Sequence, residues 1–390
     1  MFSSRFHWDF RPNRLTQTLE TRRRAGARIL DLTESNPTRA GLAYPPEILR
    51  AFEDPRMLRY EPAPAGLSEA RQAVASYYAA RGCPVDTSRI LLTASTSEAY
   101  AYLFKLLCNP GDQVLVPRPS YPLFDFLANM ESVEVGRYPL SYHGEWAIDM
   151  ESLAATLSER TRAVVLVNPN NPTGSYVKRP ELEALVRLAR ERGLALISDE
   201  VFWDYPLLAG DGPVNALAEV EDCLAFSMSG LSKIAGLPQM KLGWIVVSGP
   251  QSLRTEAMEK LEWIADTYLS VGAPVQYAAA GLLEAGGLVR QQIRERTANN
   301  LVAARNLLSG SAANILMVEG GWYITVQVPQ IRSEEEWTLG LLTSEDVLVQ
   351  PGFFFDFECE AFLIVSLLTS PEVFREGMAR LRRHVGKTTP

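Results

Sequence analysis

The sequence predicts an α/β protein: a large domain built on a mostly parallel, seven-stranded sheet between helices, with a smaller α+β domain beside it. Two observations carry this expectation. From about Arg89, short β-branched runs alternate with longer amphipathic stretches, the pattern of βαβ units whose sheet is covered on both faces. Beyond Val271 the alternation stops, and a long helical stretch leads into shorter strands and a last helix. The length of 390 residues agrees, since domains average about 150 residues.

Taken in order, the segment through about Tyr44 shows no periodicity of its own and is expected to pack on the smaller domain. Strands are expected at Ile90 to Thr93, Gln113 to Val116, Val133 to Val135, Ala163 to Val167, Ala195 to Ser198, Leu224 to Ser227 and Leu242 to Val247. Helical patterns lie between several of them, as at Ser97 to Leu107 and Pro180 to Arg192. A long helix over Ala273 to Leu308 precedes strands near Trp322 to Gln327, Val347 to Val349 and Phe362 to Ser366. A helix around Pro371 to Val385 ends the pattern. The expected division is 45–290 for the large domain, with 1–44 and 291–390 forming the small one.

Composition narrows the function. A net charge of -8 argues against nucleic acid, which calls for a basic patch. The one dense basic cluster, Arg22-Arg23-Arg24, reads as a solvated helix face. Cys83, Cys108, Cys223 and Cys359 show no paired spacing, and His7, His143 and His384 are far apart, so neither a disulfide framework nor a metal site is expected. No apolar run approaches a membrane span of about 20 residues, and Met1 to Arg5 lacks the apolar stretch of a signal peptide. A cytoplasmic protein is expected.

In open α/β sheets, ligands bind outside the carboxyl ends of the strands, so the residues after each strand matter most. Asn168-Pro169-Asn170-Asn171-Pro172-Thr173-Gly174 follows one of them. It is either a simple turn or a stiff loop presenting an Asn amide to a ring oxygen. Asp199-Glu200 follows another. Acids beside an apolar strand either reach solvent or need a cationic partner, and a protonated pyridine nitrogen is one. A third is followed by Met228-Ser229-Gly230-Leu231-Ser232-Lys233. Arginine carries most of the positive charge in this chain, so a lysine among small residues at a strand end is a candidate nucleophile; lysine can lose its proton where arginine cannot.

Together these motifs resemble the class I/II aminotransferases, fold-type I pyridoxal-phosphate enzymes, over nearly the whole chain and in the family's order. The resemblance implies pyridoxal 5'-phosphate as cofactor. Lys233 matches the lysine that carries it as a Schiff base and shuttles the proton, Asp199 the partner of the pyridine nitrogen, and Asn171 the ligand of the phenolic oxygen. Tyr121, in Pro119-Ser120-Tyr121-Pro122, matches the residue stacked on the ring. Ser95 and Thr96, at a strand-to-helix turn, match the phosphate site, although the family usually has Gly at the place of Ser95. Tyr60 matches a tyrosine that reaches the neighbouring subunit's phosphate, which implies a homodimer with shared active sites. Leu32 to Thr38 resembles the segment that covers the substrate.

Three departures stand out. Lys241 occupies the place of a phosphate-gripping arginine, keeping the charge without the fork. Phe202 replaces a tyrosine that bonds the phenolic oxygen, unless Tyr205 supplies that bond. Ile364 stands where the family's carboxylate-binding arginine is expected, which makes Arg39, with Asn36 beside it, the candidate substrate contact, ahead of Arg118 and Arg137. The implied activity is transfer of an amino group from an amino acid to a 2-oxo acid. The alternatives are a lyase or decarboxylase, an aminotransferase for amines without the standard carboxylate contact, and a regulator that has lost catalysis.

Overall fold

The computed structural model describes residues 2–6, 8, 11–208 and 217–388. In chain order, the strands of the large sheet are β1 (Ile90–Thr93), β2 (Gln113–Arg118), β3 (Glu134–Tyr142), β4 (Trp146–Ile148), β5 (Thr161–Val167), β6 (Ala195–Asp199), β7 (Ala225–Gly230) and β8 (Gly243–Ser248). They lie in the order β1-β8-β7-β6-β5-β2-β3-β4. The seven expected strands are all present, and β4, a three-residue strand too short to show a pattern, extends the edge as a hairpin on β3. β7, β6, β5, β2 and β3 run parallel. β8 is antiparallel to both β7 and β1, so β1 points the same way as β7. The carboxyl ends of β1, β2, β5, β6 and β7 therefore share one edge of the sheet. Every residue of β7 and β8 is buried, as expected where helices cover both faces.

The smaller sheet is antiparallel: β9 (Asn314–Ile315), β10 (Tyr323–Gln327), β11 (Gln350–Pro351) and β12 (Phe362–Ser366), in the order β9-β10-β12-β11. The last helix, Pro371–Thr388, and helix Glu334–Ser344 pack beside it. Helix Ala273–Leu308 spans 36 residues, about 54 Å at the α-helical rise. Its first half packs on helix Ser68–Ala80 and its last part on the C-terminal helix. The expected boundary at residue 290 thus falls inside a continuous helix.

The N-terminal segment does pack on the smaller part, through Leu30–Asp31 paired in parallel with Val347–Leu348. It is not featureless, however. Arg14–Arg24 is a helix, capped by Asn13, whose side-chain oxygen accepts from Thr16 N at 2.8 Å. Its apolar stripe is only Leu15 and Leu19, against Leu342 and Leu348, and two residues make no visible period. The Arg22-Arg23-Arg24 cluster is a helix face, as expected, but Arg22 is held by Asp346 at 2.6 Å.

Candidate active site

The strand ends converge on a cavity of about 340 Å³ lined by Lys233, Asp199, Asn171, Tyr121, Ser95, Thr96 and Lys241. Seven residues spread over nearly 150 positions meet here because five strand ends lie on one edge. Ser35, Ser97, Phe124, Val201, Phe202, Ser232 and Tyr323 complete much of the wall.

Lys233 stands on a four-residue helical turn, Leu231–Ile234, directly after β7. Two glycines let the chain pass there. A Cβ on Gly230 would lie 2.8 Å from the Leu242 carbonyl oxygen, and one on Gly243 would lie 3.1 to 3.2 Å from Ser229, Ser95 and Thr93. Close contact between β7, β8 and the Ser95 turn thus depends on missing side chains. The Lys233 Nζ lies 4.9 Å from the Trp322 ring centroid and 5.5 Å from that of Phe202. Burial lowers the amine from 10.5 to about 8, against the pull of the Asp199 carboxylate.

Asp199 closes β6. Its Oδ2 lies 3.3 Å from the Tyr100 hydroxyl and its Oδ1 accepts from Val201 N at 3.2 Å. Burial nevertheless raises the carboxyl to about 6, with these two hydrogen bonds and Lys233 pulling the other way. No motif in the sequence singles out Tyr100. Its one signal is that it lies four residues after Thr96, one turn along the same helix face.

The structure offers a direct test of whether pyridoxal phosphate fits. Asn171 lines the cavity, and its Oδ1 is buried with no hydrogen-bond partner among the described residues; that oxygen can only accept, so it is the side-chain NH2 that can donate to a phenolic oxygen. Ser95 caps helix Thr96–Leu107, its hydroxyl accepting from Glu98 N at 3.2 Å. The first-turn amides of Thr96 and Ser97 have no protein acceptor among the described residues, and Lys241 brings a cation to the same cavity. An anion site, an amide and a lone carboxylate around a lysine match the phosphate, phenolic oxygen and ring nitrogen of the cofactor.

Other expected residues lie elsewhere. Tyr60 is 82% exposed and belongs to a separate surface pocket with Pro62, Pro64 and Leu269. Asn36 and Arg39 do not line the cavity; Asn36 Oδ1 accepts from Thr38 N at 3.0 Å, and Arg39 is exposed. Ser35, from the same segment, takes the place in the wall. Tyr205 does not supply the bond missing at Phe202, because its hydroxyl is buried and donates to the Lys233 carbonyl at 2.5 Å. Ile364 is fully buried among Trp146, Leu316, Phe355 and Phe362. Arg118 and Arg137 are engaged by acids: Asp356 and Glu358 hold the first, Asp125 and Asp356 the second. Among the described residues no helix is long and apolar enough to cross a membrane, and no group of three or more metal-binding side chains occurs.

Fold and cavity together define a pyridoxal-phosphate-dependent enzyme of the large-domain, small-domain type. Comparison with known proteins gives the particular family. The family profile described as aminotransferase class I and II matches residues 27–381. The glutamate-pyruvate aminotransferase AlaA of Haemophilus influenzae is 29% identical over 378 residues, covering 92% of this chain and 91% of that protein. The tyrosine aminotransferase of Mus musculus is 26% identical over 372 residues, covering 91% and 80%. Among solved structures, the alanine aminotransferase of Pyrococcus furiosus superposes with a TM-score of 0.89 at 22% identity, over 99% of this chain and all (100%) of that one. The chain belongs to the class I and II aminotransferases. It is an enzyme that transfers amino groups with pyridoxal phosphate, and the comparisons do not favour lyase or decarboxylase chemistry.

Proposed function

We propose that Lys233 carries the cofactor and that the enzyme moves the amino group of a neutral amino acid to a 2-oxo acid. The observation behind the reading is the convergence of Lys233, Asp199 and Asn171 on one cavity with Ser95, Thr96 and Lys241. When bound, pyridoxal phosphate supplies an aldehyde carbon for the amine and a conjugated ring that takes up the electron pair left at the substrate α-carbon. The chain's own residues do the rest. Lys233, lowered to about 8, has a neutral fraction that grows as pH rises through that value. The neutral amine is both the nucleophile and the base that moves the α-proton. Asp199 is assigned to the ring nitrogen, since a cation beside it draws its raised pKa back down and keeps it ionised. Asn171 would donate its side-chain NH2 to the phenolic oxygen, Tyr121 would pack on the ring, and Ser95, Thr96 and Lys241 would hold the phosphate.

The neutral donor is supported by the lining. Lys233 and Lys241 are its cations among the described residues, and both have cofactor roles. Relatives named alanine aminotransferase and tyrosine aminotransferase agree with that choice. Carboxylate binding is assigned to the covering segment, with Ser35 in the wall and Asn36 and Arg39 next to it in the chain. A homodimer with shared sites is supported by Tyr60, exposed and outside its own cavity, beside exposed Leu58 and Leu269. We take 45–290 as the large domain and 1–44 with 291–390 as the small one, joined by the long helix. Four free cysteines fit a cytoplasmic enzyme.

The test is the visible spectrum of the holoenzyme as single amino acids are added without an oxo acid. The cofactor band should be lost with alanine or an aromatic amino acid and return when a 2-oxo acid is added. Product formation with the band unchanged would instead mean elimination or decarboxylation.

A further inference from the structure

We propose that Asp356 is a positioning residue for transamination: by bridging Arg118 and Arg137 it holds the small domain against the strand end that carries Tyr121 into the cavity. The proposal rests on the Lys233 cavity being the site of transamination.

The bridge starts from a stiff loop. Glu334, 1% exposed at the start of helix Glu334–Ser344, accepts from Phe353 N at 2.7 Å and from Phe362 N at 2.8 Å. One carboxylate thereby ties both ends of the turn that precedes β12. Gly352 makes room for it, since a Cβ there would lie 2.7 Å from a Glu334 oxygen. The helical turn Gly352–Phe355 at the start of this loop ends at Asp356, which has φ 62° and ψ 36°, a left-handed conformation that Asp and Asn tolerate best after Gly.

From this platform Asp356 reaches the large domain. Arg118 Nη2 lies 3.2 Å from one carboxylate oxygen, Arg137 Nε donates to the other, and Arg118 Nε donates to the Asp356 carbonyl at 2.9 Å. Arg137 is steadied from behind by Asp125, with Nη2 to oxygen distances of 2.7 and 2.9 Å. Next in the chain after Arg118-Pro119, the Ser120 amide donates to the Phe355 carbonyl at 2.9 Å. Its hydroxyl bonds Asn170 Oδ1 at 3.0 Å, adjacent to Asn171. Tyr121 follows directly. On the other side, the Phe355 ring lies 6.4 Å from that of Tyr323, and Tyr121 and Tyr323 both line the cavity. The junction therefore fixes where two cavity walls from two domains stand relative to each other.

Its ion pairs are too exposed to contribute much to folding: the Asp356 side chain is 40% accessible, and those of Arg118 and Arg137 are 30% and 33%. Their consequence falls on closure, hence on substrate affinity.

Asp356→Asn removes the charge and keeps a residue suited to the left-handed backbone. In the holoenzyme it should raise KM for both amino donor and oxo acid by about three- to tenfold, the scale of two exposed ion pairs. The kcat and the cofactor absorption should stay within about twofold of wild type, the change a single weak exposed contact would give. The Ser120 amide should exchange with solvent faster. Salt should raise the wild-type KM toward the variant's, since the Debye length shrinks to about 3 Å at 1 M. Arg137→Gln combined with Asp356→Asn should be less than additive. Unchanged KM and Ser120 exchange, full additivity, or a loss of cofactor and thermal stability in step with KM would overturn the proposal. A Lys233→Ala enzyme that still transaminates would sink the site assignment instead; a dead one with a silent Asp356→Asn sinks only the bridge.

Discussion

The two walls of the cavity differ in kind. The wall assigned to the cofactor is polar and comes from the large sheet: Asp199 ends one strand, and the Ser95 turn, Asn171 and Lys233 follow the ends of three others. The rest of the lining is mostly aromatic and is assembled from distant pieces: Ser35, Phe202 and Tyr323, with Ile364 buried in the cluster that Tyr323 packs against. On the proposed assignment, the comparison teaches that the chemistry is held by the edge of the large sheet, whereas the choice of substrate is left to surfaces drawn from both parts of the chain. Residues on the first wall should govern kcat, and residues between domains should govern KM.

Asp199→Asn tests the first half of that statement most severely. An amide cannot offer a charge to the ring nitrogen, and removal of a preorganised electrostatic partner of this kind costs about 10²–10³-fold in kcat. Steady-state kinetics with cofactor content measured in parallel should show that fall with the cofactor retained. A loss confined to KM would erase the distinction between the walls.

Phe202 lies where the walls meet, and its effect should be smaller. With Tyr205 committed to the Lys233 carbonyl, neither residue brings a hydroxyl to the phenolic oxygen. On the proposed reading the unprotonated Schiff base would be less stabilised, and its pKa should be high for the family. Phe202→Tyr should lower that pKa by about one unit, the scale of one hydrogen bond to the charged form, as read from the pH dependence of the visible band. An unchanged or higher value would mean that the added hydroxyl does not reach the cofactor.

The contrast between the walls also explains what the sequence discloses. Parallel strands announce themselves as apolar runs, and ligands bind beyond their carboxyl ends, so Asp199, Asn171 and Lys233 stand out as candidates from local pattern, while their roles come from the resemblance that the three motifs carry together. Helix Ala273–Leu308 and strand Phe362–Ser366 are legible for the same reason: their cores are long or unbroken. Helix Arg14–Arg24 is not, because two leucines hold it and tertiary ion pairs such as Arg22–Asp346 supply the rest. Ser35 and Tyr323 enter the cavity through tertiary packing that no local spacing encodes, which is why the neighbouring Arg39 was the more visible candidate. Arg118 and Arg137 look like free cations in the sequence; only the fold reveals that Asp356 and Asp125 occupy them.

The central claim is that Lys233 carries the cofactor, and borohydride reduction followed by peptide mass analysis tests it most directly. Reduction of the holoenzyme fixes the Schiff base to the lysine that formed it. The label should appear on the peptide containing Lys233 and be absent after prior removal of the cofactor. A label on Lys241 or any other lysine, with Lys233 unmodified, would contradict the account.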